Sequence, residues 1–141
     1  MINMDTLCGL WLVDAVQPVL FIGRYFGVDR YGRHALWDYD GGYCTVDNKD
    51  VLIPEQEIRA AYHGMMSADV DESSDVVAFR YRPNSLFVGR VHRCYDIGCS
   101  VFSLDCDEME PCNDKRELIK LEDLKAALCR IDDLKVRARV A

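Results

Sequence analysis

The side chains with the greatest chemical capacity gather late in the chain: His92, Cys94, Cys99, Cys106 and Cys112. Thiolate and neutral imidazole are zinc ligands, and four of these five converging would make a closed tetrahedral site. The spacing argues against it. The cysteines are separated by four, six and five residues, so there is no C-x-x-C knuckle, and two of the ligands would have to meet across a hairpin end. The plainer expectation is a group of reduced cysteines and one strand histidine, with no metal and no cofactor.

Catalysis by one of the seven cysteines would need a histidine base and a third, orienting group. His34, His63 and His92 fall on an expected strand, helix and strand, and no local motif ties any of them to a particular cysteine. A nucleophile elbow, a phosphate-binding glycine loop and a metalloprotease helix are also missing from the sequence. The expectation is a non-enzymatic protein with no catalytic residues.

Binding chemistry is better represented. In FRYRPNSLFVGRVHR, residues 79–93, arginines interleave with aromatics, which suggests a ligand- or RNA-binding face built on Arg80, Arg82 and Phe87. The charge balance opposes that reading. The chain carries a net charge of -7, and acids flank the basic stretch on both sides: Asp69, Asp71, Glu72 and Asp75 before it, Asp105, Asp107, Glu108 and Glu110 after it. Between Val76 and Tyr95 there are four arginines and no acid, so the charge is distributed as a dipole rather than uniformly. Such acidic segments are commonly solvated loops, and they also suit docking on a basic, nucleic-acid-handling protein.

These groups must be positioned by the elements around them. Arg82-Pro83-Asn84-Ser85 has turn chemistry between two strand-like runs. A two-residue loop at Pro83-Asn84 would pair Tyr81 with Leu86 and Arg80 with Phe87, placing Phe87 on the polar face and a β-bulge at Gly89. Tyr95-Asp96-Ile97-Gly98 turns the chain again and brings Cys94 near Cys99. Residues 19–47 read as a three-stranded antiparallel meander, with Phe26, Leu36 and Val46 toward the core and Tyr25, Trp37, Tyr39 and Tyr43 on the opposite face. Those four aromatics are either a second core layer or an open platform for a partner.

The remaining segments complete the fold. Residues 6–18 fit a helix or a strand equally. Pro54 with Glu55 and Glu57 starts a helix that carries Ile58, Ala61, Tyr62 and Met65 at helical spacing. Asp114 and Glu117 resemble a capping box before a helix with Leu118, Leu121, Leu124, Leu128 and Ile131 on one stripe. Asp132-Asp133 is expected to end it, and the alternation of Leu134, Val136, Ala138 and Val140 with Lys135, Arg137 and Arg139 reads as a final edge strand. Cys8, Cys44 and Cys129 are expected in the core.

At 141 residues and 50% hydrophobic, the chain fits one globular domain, 1–141, rather than a disordered polymer. The class is α+β: mainly antiparallel sheet in meander and hairpins, with a partly open barrel as one arrangement, a packed C-terminal helix and one or two shorter helices. The apolar run Leu7–Val16 contains Asp14 and falls short of the roughly 20 residues a membrane helix needs. With an odd cysteine count and no basic leader, the expectation is a reducing, cytoplasmic setting away from membranes. Function then reads as a small acidic protein that binds and inhibits or modulates a protein partner, of the type carried by phages and mobile elements, such as anti-CRISPR proteins. That reading rests on size and charge distribution alone.

Overall fold

The structure, a computed structural model, describes residues 2–13, 18–68, 75–105 and 107–140, with backbone only for 138–140. Among the described residues nine strands and two α-helices follow in the order β1 Leu7–Leu12, β2 Val19–Val28, β3 His34–Trp37, β4 Tyr43–Val46, β5 Ile53–Pro54, α1 Glu55–Met66, β6 Val76–Arg80, β7 Leu86–Cys94, β8 Cys99–Ser103, β9 Met109–Cys112 and α2 Leu121–Val140. The strands form two open antiparallel sheets, ordered β4-β3-β2-β1-β5 and β6-β7-β8-β9, neither closed into a barrel. The fold is therefore α+β, with a long C-terminal helix and a shorter one. No helix among the described residues is long and apolar enough to cross a membrane.

Within the segment that fits helix or strand equally, Leu7–Leu12 is a strand, and residues 14–17 lie outside the described residues. β1 pairs with β2 from Leu7↔Arg24 to Leu12↔Val19, and its alternate residues feed two different clusters. Leu7, Leu20, Ile22 and Ile53 face the helices, in a core shared with Ile58, Ala61 and Met65 of α1, Val76 and Ala78 of β6, and Leu124, Ala127, Ile131 and Leu134 of α2. Cys8, Leu10, Tyr25 and Leu36 face the other way and pack with Ile2 and Leu52. Because both faces of β1 are covered, that strand is apolar throughout, and this is why periodicity alone leaves the segment undecided.

Two register parities differ from the expectation, each by one residue. In the meander Tyr25, not Phe26, pairs with Leu36, because a bulge between Tyr25 and Val28, with Gly27 at φ 97°, inserts a residue. An odd shift exchanges faces, so Tyr25 is core and Phe26 is exposed. Leu36 pairs with Cys44 instead of Val46, an even shift that leaves the faces unchanged. In the central hairpin Arg80 pairs with Leu86 and Phe79 with Phe87. The loop is wider than two residues because Asn84, at φ 60°, is tied to the 49–52 segment: its side chain donates to Lys49 O at 3.0 Å and Leu52 O at 2.7 Å, and its N–H to Asp50 O at 2.9 Å. Phe87 consequently turns into a third cluster with Val77, Phe79, Cys99, Val101 and Cys112. The expected bulge at Gly89 lies instead between Val91 and Arg93.

The C-terminal segment also differs. Asp114 caps a short 3-10 turn, Lys115–Glu117, through its side chain and Arg116 N, and α2 starts later, where the Asp123 carboxylate accepts from Lys120 N–H at 2.9 Å. Between the two, Ile119 makes a two-bond antiparallel bridge to Ala78 at the free edge of β6. The helix does not stop at Asp132-Asp133 and there is no final strand. Leu124, Ala127, Ile131 and Leu134 are buried at 3- and 4-residue spacing, so the core selects the helical period over the competing two-residue one. Cys129 lies on the outer side of this helix and is exposed, not core, while Cys44 is half-buried.

Candidate protein-binding surface

α1 and α2 cover the β1–β2 half of one face of the larger sheet, and the β3–β4 hairpin projects beyond them. On that uncovered portion lie Phe26, Trp37, Tyr39 and Tyr43. Trp37 is opposite Tyr43 across β3–β4 and opposite Arg24 across β2–β3, so the three share one face. Trp37 is 39% exposed, Phe26 42% and Tyr43 49%; Tyr39 is half-buried against the central core. The rings pack on one another: Trp37 and Tyr39 centroids are 4.2 Å apart, those of Phe26 and Tyr43 5.6 Å. These two packed ring pairs, brought together where Trp37 opposes Tyr43, form an aromatic shelf on the β2–β3–β4 end of the sheet.

The shelf is rigidly mounted. Tyr39 sits in the 38–42 loop at φ 70°, and the Asp38 carboxylate fixes that loop by accepting from Asp40 N–H at 2.9 Å and Gly42 N–H at 2.8 Å. Arg130 of α2 donates to Asp40 at 2.8 Å and lies 3.4 Å from Asp38, and Arg137 adds a second bond to Asp40. Hydrogen bonds from Arg130 and Arg137 hold the Asp40 carboxyl below the usual carboxylate range. Arg24 closes the inner side, its guanidinium 5.8 Å from the Tyr39 centroid and its Nη1 donating to Asp5 O at 2.9 Å.

Beside Arg24 an open cleft of about 450 Å³ is lined by Glu55, Arg59 and Lys135 among others. Three of its charges are linked to one another: Glu55 Oε2 accepts from Arg59 Nε and Lys135 Nζ, both at 2.7 Å, and Arg59 also reaches Asp132 at 3.2 Å. This set of ion pairs straps α1 to α2.

The other expected site residues disperse. Tyr25 is buried, its hydroxyl 2.8 Å from His34 Nδ1, and Phe87 is buried against Phe79 and Tyr81, so neither is a surface contact. Arg80 and Arg82 are exposed, Arg82 lies over the Tyr81 ring at 5.2 Å, and Phe87 is on the opposite face from Arg80. Asp75, Asp105, Asp107 and Glu108 are exposed, whereas Glu110 is half-buried and accepts from the Tyr81 hydroxyl at 2.7 Å. Asp69, Asp71, Glu72 and Cys106 lie outside the described residues. His92 and Cys94 are exposed while Cys99 and Cys112 are buried, and among the described residues no three His, Cys, Asp or Glu converge as a metal site requires.

Phe26 and Arg24 belong to the shelf and were not among the expected contacts. The alternation Leu20, Ile22, Arg24, Phe26 carried that signal, masked by the equally apolar Phe21, Gly23, Tyr25 set. No protein-family model, curated protein or solved structure matches the chain.

Proposed function

We propose that this chain is a non-enzymatic protein-binding module that grips its partner with the Phe26–Trp37–Tyr39–Tyr43 shelf. The observation that carries the reading is the exposure of packed aromatic rings on the β2–β3–β4 end of the sheet, beside α2, which is tied to the 38–42 loop by Arg130 and Arg137. Aromatic anchors dominate interface energetics, and rings already packed on one another in the free protein lose little freedom on binding. Buried thiols support the non-enzymatic reading, because burial pushes Cys8 up to about 12 and Cys112 up to about 11, the reverse of what a nucleophile needs.

The charge of -7 and the exposed Asp105, Asp107 and Glu108 suit a partner with a basic surface. A nucleic-acid-handling complex has that surface, and an inhibitor of the phage-borne kind, such as an anti-CRISPR protein, is the type of molecule that would exploit it. The reading is tested by capture from host lysate with the wild-type protein and with a Trp37→Ser/Tyr43→Ser double variant, alongside oligonucleotide titrations. A protein partner lost by the folded double variant supports it; specific oligonucleotide binding with no protein partner overturns it.

A further inference from the structure

Three cysteines stand in one row across the end of the smaller sheet: Cys94 of β7 is opposite Cys99 of β8, which is opposite Cys112 of β9. Directly opposed residues project from the same face. The row is not uniform. Tyr95 N–H donates to Gly98 O at 2.8 Å, so Tyr95 and Gly98 are a hydrogen-bonded pair, and the alternation of antiparallel ladders makes Cys94 and Cys99 a non-hydrogen-bonded pair. Cα atoms of such a pair lie about 4.5 Å apart with side chains at their closest, within the range of about 4.4–6.8 Å that a disulfide spans. On the other side Ser103 N–H donates to Glu108 O at 2.8 Å, which puts Cys99 and Cys112 in the wider, hydrogen-bonded phase and leaves Pro111, with no N–H, at a position where none is required.

We propose that Cys94 and Cys99 are a site of reversible thiol oxidation, forming a cross-strand disulfide at the end of the β7–β8 hairpin with low-molecular-weight disulfides as co-substrate. The hairpin end is held for this. Lys115 N–H donates to Ile97 O at 2.8 Å, and a Cβ on Gly98 would fall 2.4 Å from Cys112 O, so the chain after β9 lies directly against the turn and only glycine admits that approach. Exposure gives the order of events, since Cys94 is open to solvent and Cys99 is buried. The Cys94 thiolate attacks one sulfur of glutathione disulfide, forming a mixed disulfide and releasing one glutathione thiolate. The Cys99 thiolate then attacks the Cys94 sulfur and expels the second. Two protein thiols lose two electrons, one glutathione disulfide gains them, and the two protons end on the two released glutathione thiols.

The fully reduced protein is incubated with excess glutathione disulfide, free thiols are alkylated, and the chain is cleaved before aspartates. Cuts at Asp96, Asp105, Asp107 and Asp114 place Cys94, Cys99 and Cys112 on three separate peptides. The expected result is a mass loss of about 2 Da, with the Cys94 peptide joined to the Cys99 peptide and released by reduction. Cys112→Ser should still close, and Cys94→Ser should not. A persistent glutathione adduct on Cys94 with Cys99 still alkylated, or Cys99 joined chiefly to Cys112, overturns the proposal.

Discussion

At the scale of single residues, what separates the cysteines is how much water each sulfur sees. Burial pushes the Cys8 thiol to about 12 and the Cys112 thiol to about 11, and raises Cys44 and Cys99 as well, whereas Cys94 and Cys129 stand in solvent. Only the thiolate is alkylated. In reduced native protein near pH 8, Cys94 and Cys129 should therefore label first and Cys8 and Cys112 at least about a hundredfold more slowly; peptide-resolved mass spectrometry checks this, and equal rates at all four would contradict the burial. Composition made Cys8 legible as a core residue, but Cys129 was not, because its helix places it two residues from both Ala127 and Ile131 of the buried stripe, on the opposite side. Tyr25, Phe26 and Phe87 show the same limit in strands. Their residue types fit either face, and one extra residue in a bulge or a loop decides which.

At the scale of elements, the meander, α1 and the two hairpins were legible because turn residues and apolar periods agreed there. The end of α2 was not, because Leu134, Val136, Ala138 and Val140 satisfy a two-residue period while Ile131 and Leu134 continue a helical one. The two readings make different energetic demands. In a strand Leu134 and Val136 would share a face; in α2 Leu134 is 0% exposed and Val136 is 57% exposed. Leu134→Ala should cost about 2–5 kcal/mol in denaturant unfolding and Val136→Ala less than about 0.5 kcal/mol; comparable losses would restore the strand. The Glu55 strap gives a pH signature. Partial burial raises its pKa, but hydrogen bonds from Lys135 and Arg59 outweigh this and the carboxyl ends below its ordinary value of 4.5. A lowered folded pKa stabilises above the unfolded value and is lost as pH falls through the folded one. Glu55→Gln should accordingly cost about 1 kcal/mol at neutral pH, allowing for the solvent exposure of Arg59 and Lys135, and the gap to wild type should close in acid. A gap independent of pH would show that the carboxylate's charge contributes nothing.

At the scale of the whole molecule, the α+β class and the antiparallel sheets follow from the sequence, while the relation between the two sheets does not. The link depends on Ala78 bridging Ile119 and on one core drawing from both sheets and both helices, contacts between residues far apart in the chain. The candidate site was legible in part for the same reason. Trp37, Tyr39 and Tyr43 were picked out by local alternation, Phe26 was hidden by the bulge, and the openness of the shelf depends on where α2 stops covering the sheet. The proposed binding role makes this shelf the energetic centre of a protein interface. Its most direct test is the affinity of the captured partner for wild type and for the Trp37→Ser/Tyr43→Ser variant, with unfolding curves confirming that the variant is folded. Loss of two hot-spot aromatics should weaken binding by at least about thirtyfold, or roughly 2 kcal/mol; an unchanged Kd in a folded variant would contradict it.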